Sequence, residues 1–226
     1  SYTFSGLGKR TYTFAVTPYS EAGAGPTKKA KLTTTALSAS LAPSTISYGG
    51  KAKLTATLER TDTGRGLPNK KVQLQARPAG STTWTTLTTG TTSSTGKISF
   101  SRGPARNYEY RLVFGEGSVY FGATSRALKV TVRQAITGSF AAAKVKPHRQ
   151  VRFTGQVKPG HPGQTVHLQY RSGGRWITSR STTLDENSRY TFVFSKPAGT
   201  YTYRAMKYGH GDHAAGYSPA RKLTVR

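Results

Sequence analysis

One block of sequence occurs twice in this chain. Val72-Gln-Leu-Gln-Ala-Arg77 returns as Val166-His-Leu-Gln-Tyr-Arg171, with Pro68 ahead of the first copy and Pro162 ahead of the second. Trp84 follows the first copy and Trp176 the second. Tyr108-Glu-Tyr-Arg111 returns as Tyr201-Thr-Tyr-Arg204, and Thr131-Val-Arg133 as Thr224-Val-Arg226. The offset stays near about 93 residues, the length of one β-sandwich domain. A chain with this period folds as a series of similar units, not around one large core. It divides into two homologous units, 37–134 and 135–226, preceded by a segment of different character, 1–36.

Within the units, short runs rich in Thr, Val, Tyr and Phe alternate apolar and polar side chains. Lys53 to Leu58, Tyr108 to Phe114, Val166 to Tyr170 and Tyr190 to Phe194 are examples. Alternation with period two marks strands that bury one face. Gly, Pro, Asn and Asp separate the runs, as turns require. No window sustains a helical period; the Ala-rich stretch Ser139 to Lys146 is too short for a stable helix. The predicted fold class is therefore all-β, a tandem array of β-sandwiches. Tyr12, Val72, Leu74, Trp84, Tyr110, Val166, Leu168, Trp176 and Tyr203 are the predicted core, each tryptophan acting as the aromatic anchor of its sandwich.

The two repeats resemble bacterial immunoglobulin-like repeats of secreted and cell-surface proteins, of the actinobacterial type. The residues that carry the resemblance are Ser47-Tyr-Gly-Gly50 ahead of the Lys53 strand, Gly66-Leu-Pro68 ahead of Val72, then Trp84 and Thr95-Gly-Lys-Ile-Ser-Phe100. The second unit keeps Pro162-Gly163, Val166, Leu168, Trp176 and Tyr190 but has Lys146-Pro-His-Arg149 in place of the Tyr-Gly-Gly turn. In residues 1–36, Tyr12-Thr-Phe-Ala-Val-Thr17, Glu21-Ala-Gly-Ala-Gly-Pro26 and Ala30-Lys-Leu-Thr-Thr-Thr35 resemble the last third of a fibronectin type III domain. Leu7 before Tyr12 is similar to that family's tyrosine corner at a spacing one residue short. The resemblance implies immunoglobulin-like and fibronectin III-like sandwiches, the first of them incomplete. A 36-residue piece buries too little surface to fold alone. It is expected to be the end of a domain in a longer chain, or to be completed by a second subunit.

The chain carries 34 Lys and Arg against 8 Asp and Glu, a net charge of +26 over 226 residues. The charge is spread: residues 1–36 carry +4, residues 37–134 carry +10 and residues 135–226 carry +12. A field of this sign attracts polyanions and keeps copies of the chain apart. An anionic cell-wall polymer or polysaccharide, or nucleic acid bound without sequence preference, is the expected partner. Lys28, Lys29, Lys31, Lys70, Lys71, Lys146, Arg149, Arg221 and Lys222 are the candidate contacts. No helix-turn-helix, zinc-finger or RNA-binding signature is present. No run of 18 apolar residues occurs, so no membrane-spanning helix is expected.

Catalytic chemistry finds little to build on. There is no cysteine, which excludes a thiol nucleophile and any thiolate-held metal. Carboxylates are too few and too close to turns to flank a cleft; Asp185-Glu-Asn-Ser188 reads as a hairpin turn. All five histidines fall in the second repeat, and Tyr208-Gly-His-Gly-Asp-His213 offers His210, Asp212 and His213 as the sole metal-like cluster. The matching stretch of the first repeat, Phe114-Gly-Glu-Gly-Ser118, lacks histidine. The cluster is therefore read as a turn, and neither metal nor cofactor is predicted. The expected function is structural: an extracellular, secreted or wall-associated stalk or adhesion array, attached by weak electrostatic contacts. Two alternatives are an accessory region of a secreted hydrolase whose catalytic domain lies upstream, and a fibre subunit joined by strand complementation through residues 1–36.

Overall fold

A computed structural model describes residues 11–226. Leu7, the expected corner partner of Tyr12, lies outside the described residues. Four strands open the described chain: β1 (Thr11–Val16), β2 (Tyr19–Ser20), β3 (Gly23–Ala24) and β4 (Lys28–Thr33). β1 and β4 pair antiparallel, Tyr12 opposite Leu32, and β2 and β3 form a small hairpin between them.

The first repeat contributes β5 (Thr35–Ala42), β6 (Thr45–Ser47), β7 (Ala52–Arg60), β8 (Lys71–Pro78), β9 (Thr85–Thr91), β10 (Lys97–Arg102), β11 (Tyr108–Phe114), β12 (Ala123–Thr124) and β13 (Leu128–Arg133). One sheet runs β10-β7-β5 and the other β6-β13-β11-β8-β9, with β12 beside β11. β6 joins β13 parallel, the only parallel pair of this repeat among the described residues. This two-sheet arrangement is an immunoglobulin-like β-sandwich.

The second repeat contributes β14 (Ala135–Ile136), β15 (Ser139–Phe140), β16 (Lys144–Val145), β17 (Val151–Lys158), β18 (Thr165–Ser172), β19 (Arg175–Thr183), β20 (Arg189–Phe194), β21 (Gly199–Lys207), β22 (Gly216–Tyr217) and β23 (Arg221–Val225). The order matches strand for strand: β17 holds β14, β15 and β20, and the other sheet runs β16-β23-β21-β18-β19. The single first strand of the first repeat is here two short ones. The chain breaks at Thr137, whose carbonyl accepts a hydrogen bond from the Tyr190 hydroxyl. A side chain at Gly155 would meet that same carbonyl at 2.0 Å, so glycine alone lets the two backbones approach.

By contact, the chain forms two compact units. The first holds the described residues up to Ser44, Ala52–Arg102 and Tyr108–Val130; the second holds Thr45–Lys51, Gly103–Asn107 and Thr131–Arg226. The N-terminal strands thus group with the first sandwich: Thr33 donates to Val119 and accepts from Phe121 through its backbone. Among the described residues no helix is long and apolar enough to cross a membrane.

The cores follow from the alternation. In β20, Tyr190, Phe192 and Phe194 point inward while Arg189, Thr191 and Val193 point out. They pack with Phe153, Val157, Leu168, Tyr203 and Leu223. Val72, Leu74, Tyr110, Val166, Leu168 and Tyr203 are all buried to 2% exposure or less. Tyr12 is half-buried, its ring edge-on to Phe121.

The two tryptophans differ from the expectation. Trp84, in the loop ahead of β9, and Trp176, in β19, are only half-buried and lie outside the core. The core positions of these sheets are filled by Leu74 and Leu112 in one repeat and Leu168 and Ala205 in the other. Each tryptophan sits instead on the outer face, beneath arginine guanidinium groups. Leu168→Ala is expected to cost about 2–5 kcal/mol of stability. Trp176→Ala, which removes a surface stack, is expected to cost about 1 kcal/mol. Equilibrium denaturation of the two variants checks this; equal losses would return Trp176 to the core.

Candidate functional site

Two features stand out once the fold is in place: a stack of arginine and tryptophan repeated on the outer face of both sandwiches, and a histidine cluster confined to the second unit. The stack begins with a β-bulge. In β8 the register against β9 shifts between Leu74 and Gln75, and in β18 against β19 it shifts between Leu168 and Gln169. A bulge twists the strand and re-aims the side chains beyond it. In both repeats the glutamine after the shift faces outward and accepts a hydrogen bond from the arginine directly across the sheet. Arg111 Nε donates to Gln75 Oε1 at 2.8 Å, and Arg204 Nε donates to Gln169 Oε1 at 2.9 Å.

The tryptophans complete the stack. The Arg77 and Arg111 guanidinium carbons each lie 4.5 Å from the Trp84 ring centre. Arg204 lies 4.2 Å from Trp176 and 4.2 Å from Tyr217, and Arg171 lies 5.9 Å from Trp176. A guanidinium over an indole face is held by the ring quadrupole and keeps its N–H edge free for an anion. Burial pushes the Arg204 pKa down, and the Arg171 charge adds to that push, while Tyr217 opposes it.

The repeats differ at one position. In the first, Glu109 stands opposite Arg77 and binds it at 2.7 Å. In the second, Thr202 occupies the equivalent place, and among the described residues no carboxylate pairs with Arg171. The second stack therefore presents more uncompensated positive charge. The sequence reading placed both tryptophans in the core. The signal available was the shared phase of Gln75 and Arg77, and of Gln169 and Arg171, opposite to the buried leucines.

The nine basic residues predicted as polyanion contacts are distributed over both units. Lys28, Lys29, Lys31 and Lys71 are exposed in the first, and Lys146, Arg149, Arg221 and Lys222 in the second. Lys70 is half-buried, with Nζ 5.0 Å from the Tyr120 ring centre. Arg221 Nε donates to the Gly138 carbonyl at 3.1 Å. Two further acidic groups, Asp62 and Asp185, are engaged in hydrogen bonds. Asp62 accepts from Arg60 and from the Thr11 hydroxyl, and these bonds hold its carboxyl well below the usual range. Asp185 Oδ1 accepts from the Asn187 and Arg189 amides, which closes the turn between β19 and β20. β19 pairs with β18 and β20 with β17, so this turn crosses between the two sheets and is not the expected hairpin.

The histidine cluster joins two loops. His210, Asp212 and His213 lie between β21 and β22, and the structure adds His161 from the loop between β17 and β18. His161, His210 and His213 each place one ring nitrogen within 4.8 Å of the others. The Nε2 atoms of His161 and His210 are 3.3 Å apart. His213 is 4% exposed and its Nε2 donates to the Ala105 carbonyl at 2.7 Å. Asp212 Oδ1 lies against Nδ1 of His210 and 3.1 Å from Nδ1 of His213. Neither contact has hydrogen-bond geometry, so Asp212 Oδ1 and His213 Nδ1 are buried without a hydrogen-bond partner. Burial, with the neighbouring charges of Lys207, His210 and His213, lowers the His161 pKa to about 4 against the pull of Asp212. Burial likewise lowers that of His210 and that of Lys207. His161 escaped the sequence reading because it lies 49 residues from His210 in the chain.

No protein-family model and no curated protein matches the chain. Among solved structures it is similar to a tetra-tandem repeat in the extending region of a large adhesion protein, at 15% identity and a TM-score of 0.42. That match covers 98% of this chain, which spans 58% of the length of the other. It is also similar to the D0-D1 domain of intimin, at 13% identity and a TM-score of 0.32 over 83% of this chain and 97% of that one. The Yersinia pseudotuberculosis adhesin InvE gives 13% identity and a TM-score of 0.32 over 85% of this chain and 58% of that one.

Proposed function

We propose that this chain is a non-catalytic extracellular module that attaches a larger secreted or surface protein to an anionic polymer. The observation that carries the reading is the arginine–tryptophan stack, whose arginines lie on equivalent strands of both repeats. Each stack holds two guanidinium groups over an indole, with a glutamine fixing one of them. Arginine in this setting suits phosphate, sulfate and carboxylate groups, because its fork bonds two oxygens at once. The net charge of +26 supplies the long-range attraction. Two stacks on one chain bind a repeating polymer by avidity, so neither needs a deep pocket. The local engagement of Asp62, Glu109 and Asp185 supports a chain whose carboxylates serve structure, not acid–base chemistry.

The test is retention of the untagged chain on immobilised heparin and on a neutral polysaccharide, each eluted with a rising salt gradient. Retention on heparin alone, falling steeply with salt, is expected. Joint replacement of Arg171 and Arg204 by Ala is expected to weaken binding roughly tenfold, the scale of a charge-assisted hydrogen bond. Replacement of Lys28 and Lys29, exposed and unstacked, is expected to weaken it less. Equal retention on the neutral polymer, or equal losses for the two double variants, would refute the stack as the attachment site.

A further inference from the structure

We infer that His161, His210 and His213 form a binding site for a borderline divalent transition-metal ion, with Zn²⁺ the best fit. The argument starts from the hydrogen bonds that fix the tautomers. The Nε2 of His213 donates to the Ala105 carbonyl, so in the neutral ring its Nδ1 carries the lone pair. That lone pair is buried, has no hydrogen-bond partner, and faces a carboxylate oxygen 3.1 Å away. A lone pair against a carboxylate is repulsive unless a proton or a metal cation lies between them, and a metal held by the neutral ring meets that need. A histidine that gives its other ring N–H to a backbone carbonyl is also the usual arrangement of a metal ligand.

The spacing agrees. Two nitrogens bound to one tetrahedral Zn²⁺ are about 3.3 Å apart, given Zn–N bonds near 2.0–2.1 Å. The Nε2 atoms of His161 and His210 are 3.3 Å apart. The third nitrogen, within 4.8 Å of both, closes up when the ion enters; two of the three histidines come from one loop and one from another, and loops make that adjustment. With His210 bound through Nε2, its Nδ1–H is left facing Asp212, the carboxylate that orients a ligating imidazole. Three neutral nitrogens and an adjacent carboxylate favour Zn²⁺, Co²⁺ or Ni²⁺ over Mg²⁺ or Ca²⁺, which prefer oxygen. Lys207 is the opposing charge in the neighbourhood, and Asp212 offsets it.

The ion would tie the loop between β17 and β18 to the loop between β21 and β22. The second of these already bonds to the rest of its unit: Asn107 N donates to the Asp212 carbonyl at 2.7 Å and Ala214 N to the Val132 carbonyl at 2.8 Å. Binding is therefore expected to stabilise the second unit by mass action.

The experiment uses the full chain without a polyhistidine tag, stripped of metal and titrated with Co²⁺ and then Zn²⁺. The expected result is one equivalent per chain in the micromolar range or tighter. Four-coordinate ligand-field bands should appear with Co²⁺ and vanish as Zn²⁺ displaces it, and Zn²⁺ should raise the unfolding temperature. His161→Ala and His210→Ala, at positions less buried than His213, should abolish the bands while leaving circular dichroism unchanged. Asp212→Asn should weaken binding roughly 10- to 100-fold, and His148→Ala, away from the cluster, should leave it intact. Absence of Co²⁺ bands in the unaltered chain would overturn the proposal. So would binding that survives in the folded His161→Ala, His210→Ala double variant.

Discussion

The pairing of β8 with β11, and of β18 with β21, is the contact on which both faces of each sandwich depend. One side of this two-stranded ladder supplies Leu74, Leu112, Leu168 and Ala205 to the core. The other side supplies Gln75, Arg77, Arg111, Gln169 and Arg204 to the surface stack. Because side chains alternate strictly along a strand, the register that buries the leucines also sets the arginines in line. The core drives the assembly energetically, since burial of apolar area is the dominant favourable term. The surface chemistry is placed by the same pairing.

The unequal charge balance shapes the molecule in a second way. With so few carboxylates, three of them act as local ties: Asp62 on Arg60, Glu109 on Arg77 and Asp185 across its own turn. Among the described residues, Arg60 and Arg77 are the only lysines or arginines in ion pairs with carboxylates. The remaining cations meet aromatic faces, backbone carbonyls or solvent. Lys196, for example, lies 5.6 Å from the Tyr170 ring centre and 5.4 Å from that of Tyr201. Aromatic rings thus take over part of the role that acidic side chains play in a neutral protein.

How much of this was legible in the sequence depended on whether a residue's neighbours in the chain or in space decided its place. β8, β11, β18, β20 and β21 were readable because both of their faces are strongly specified, one apolar and one polar. β9 and β19 were not read as single edge strands. They are threonine- and arginine-rich and mostly exposed, and an edge strand needs no apolar alternation. The tryptophans were misplaced because a large aromatic ring defaults to the core. Only the third dimension shows Arg77 and Arg111, far apart in sequence, closing over Trp84. The histidine cluster was half visible: His210, Asp212 and His213 are local, whereas His161 reaches them through the fold. The lack of histidine in the matching loop of the first repeat counted against a metal when the loop was read alone.

The bulge has a consequence for how such a repeat can vary. It is one extra residue in the outer strand, Leu87 in β9 and Ser179 in β19, set against a continuous partner. The strand on either side of it is in opposite phase relative to an unbroken one. Removing that residue would leave Thr86 opposite Gln75 and Thr88 opposite Leu74 in an unbroken ladder, so the local twist would be lost while both halves keep their facing. A single insertion or deletion elsewhere in the outer strand would instead turn its remainder over, so the strand tolerates substitution better than length change away from the bulge. Divergence between copies is channelled into the identity of side chains such as Glu109 and Thr202, and one scaffold can carry sites of different charge.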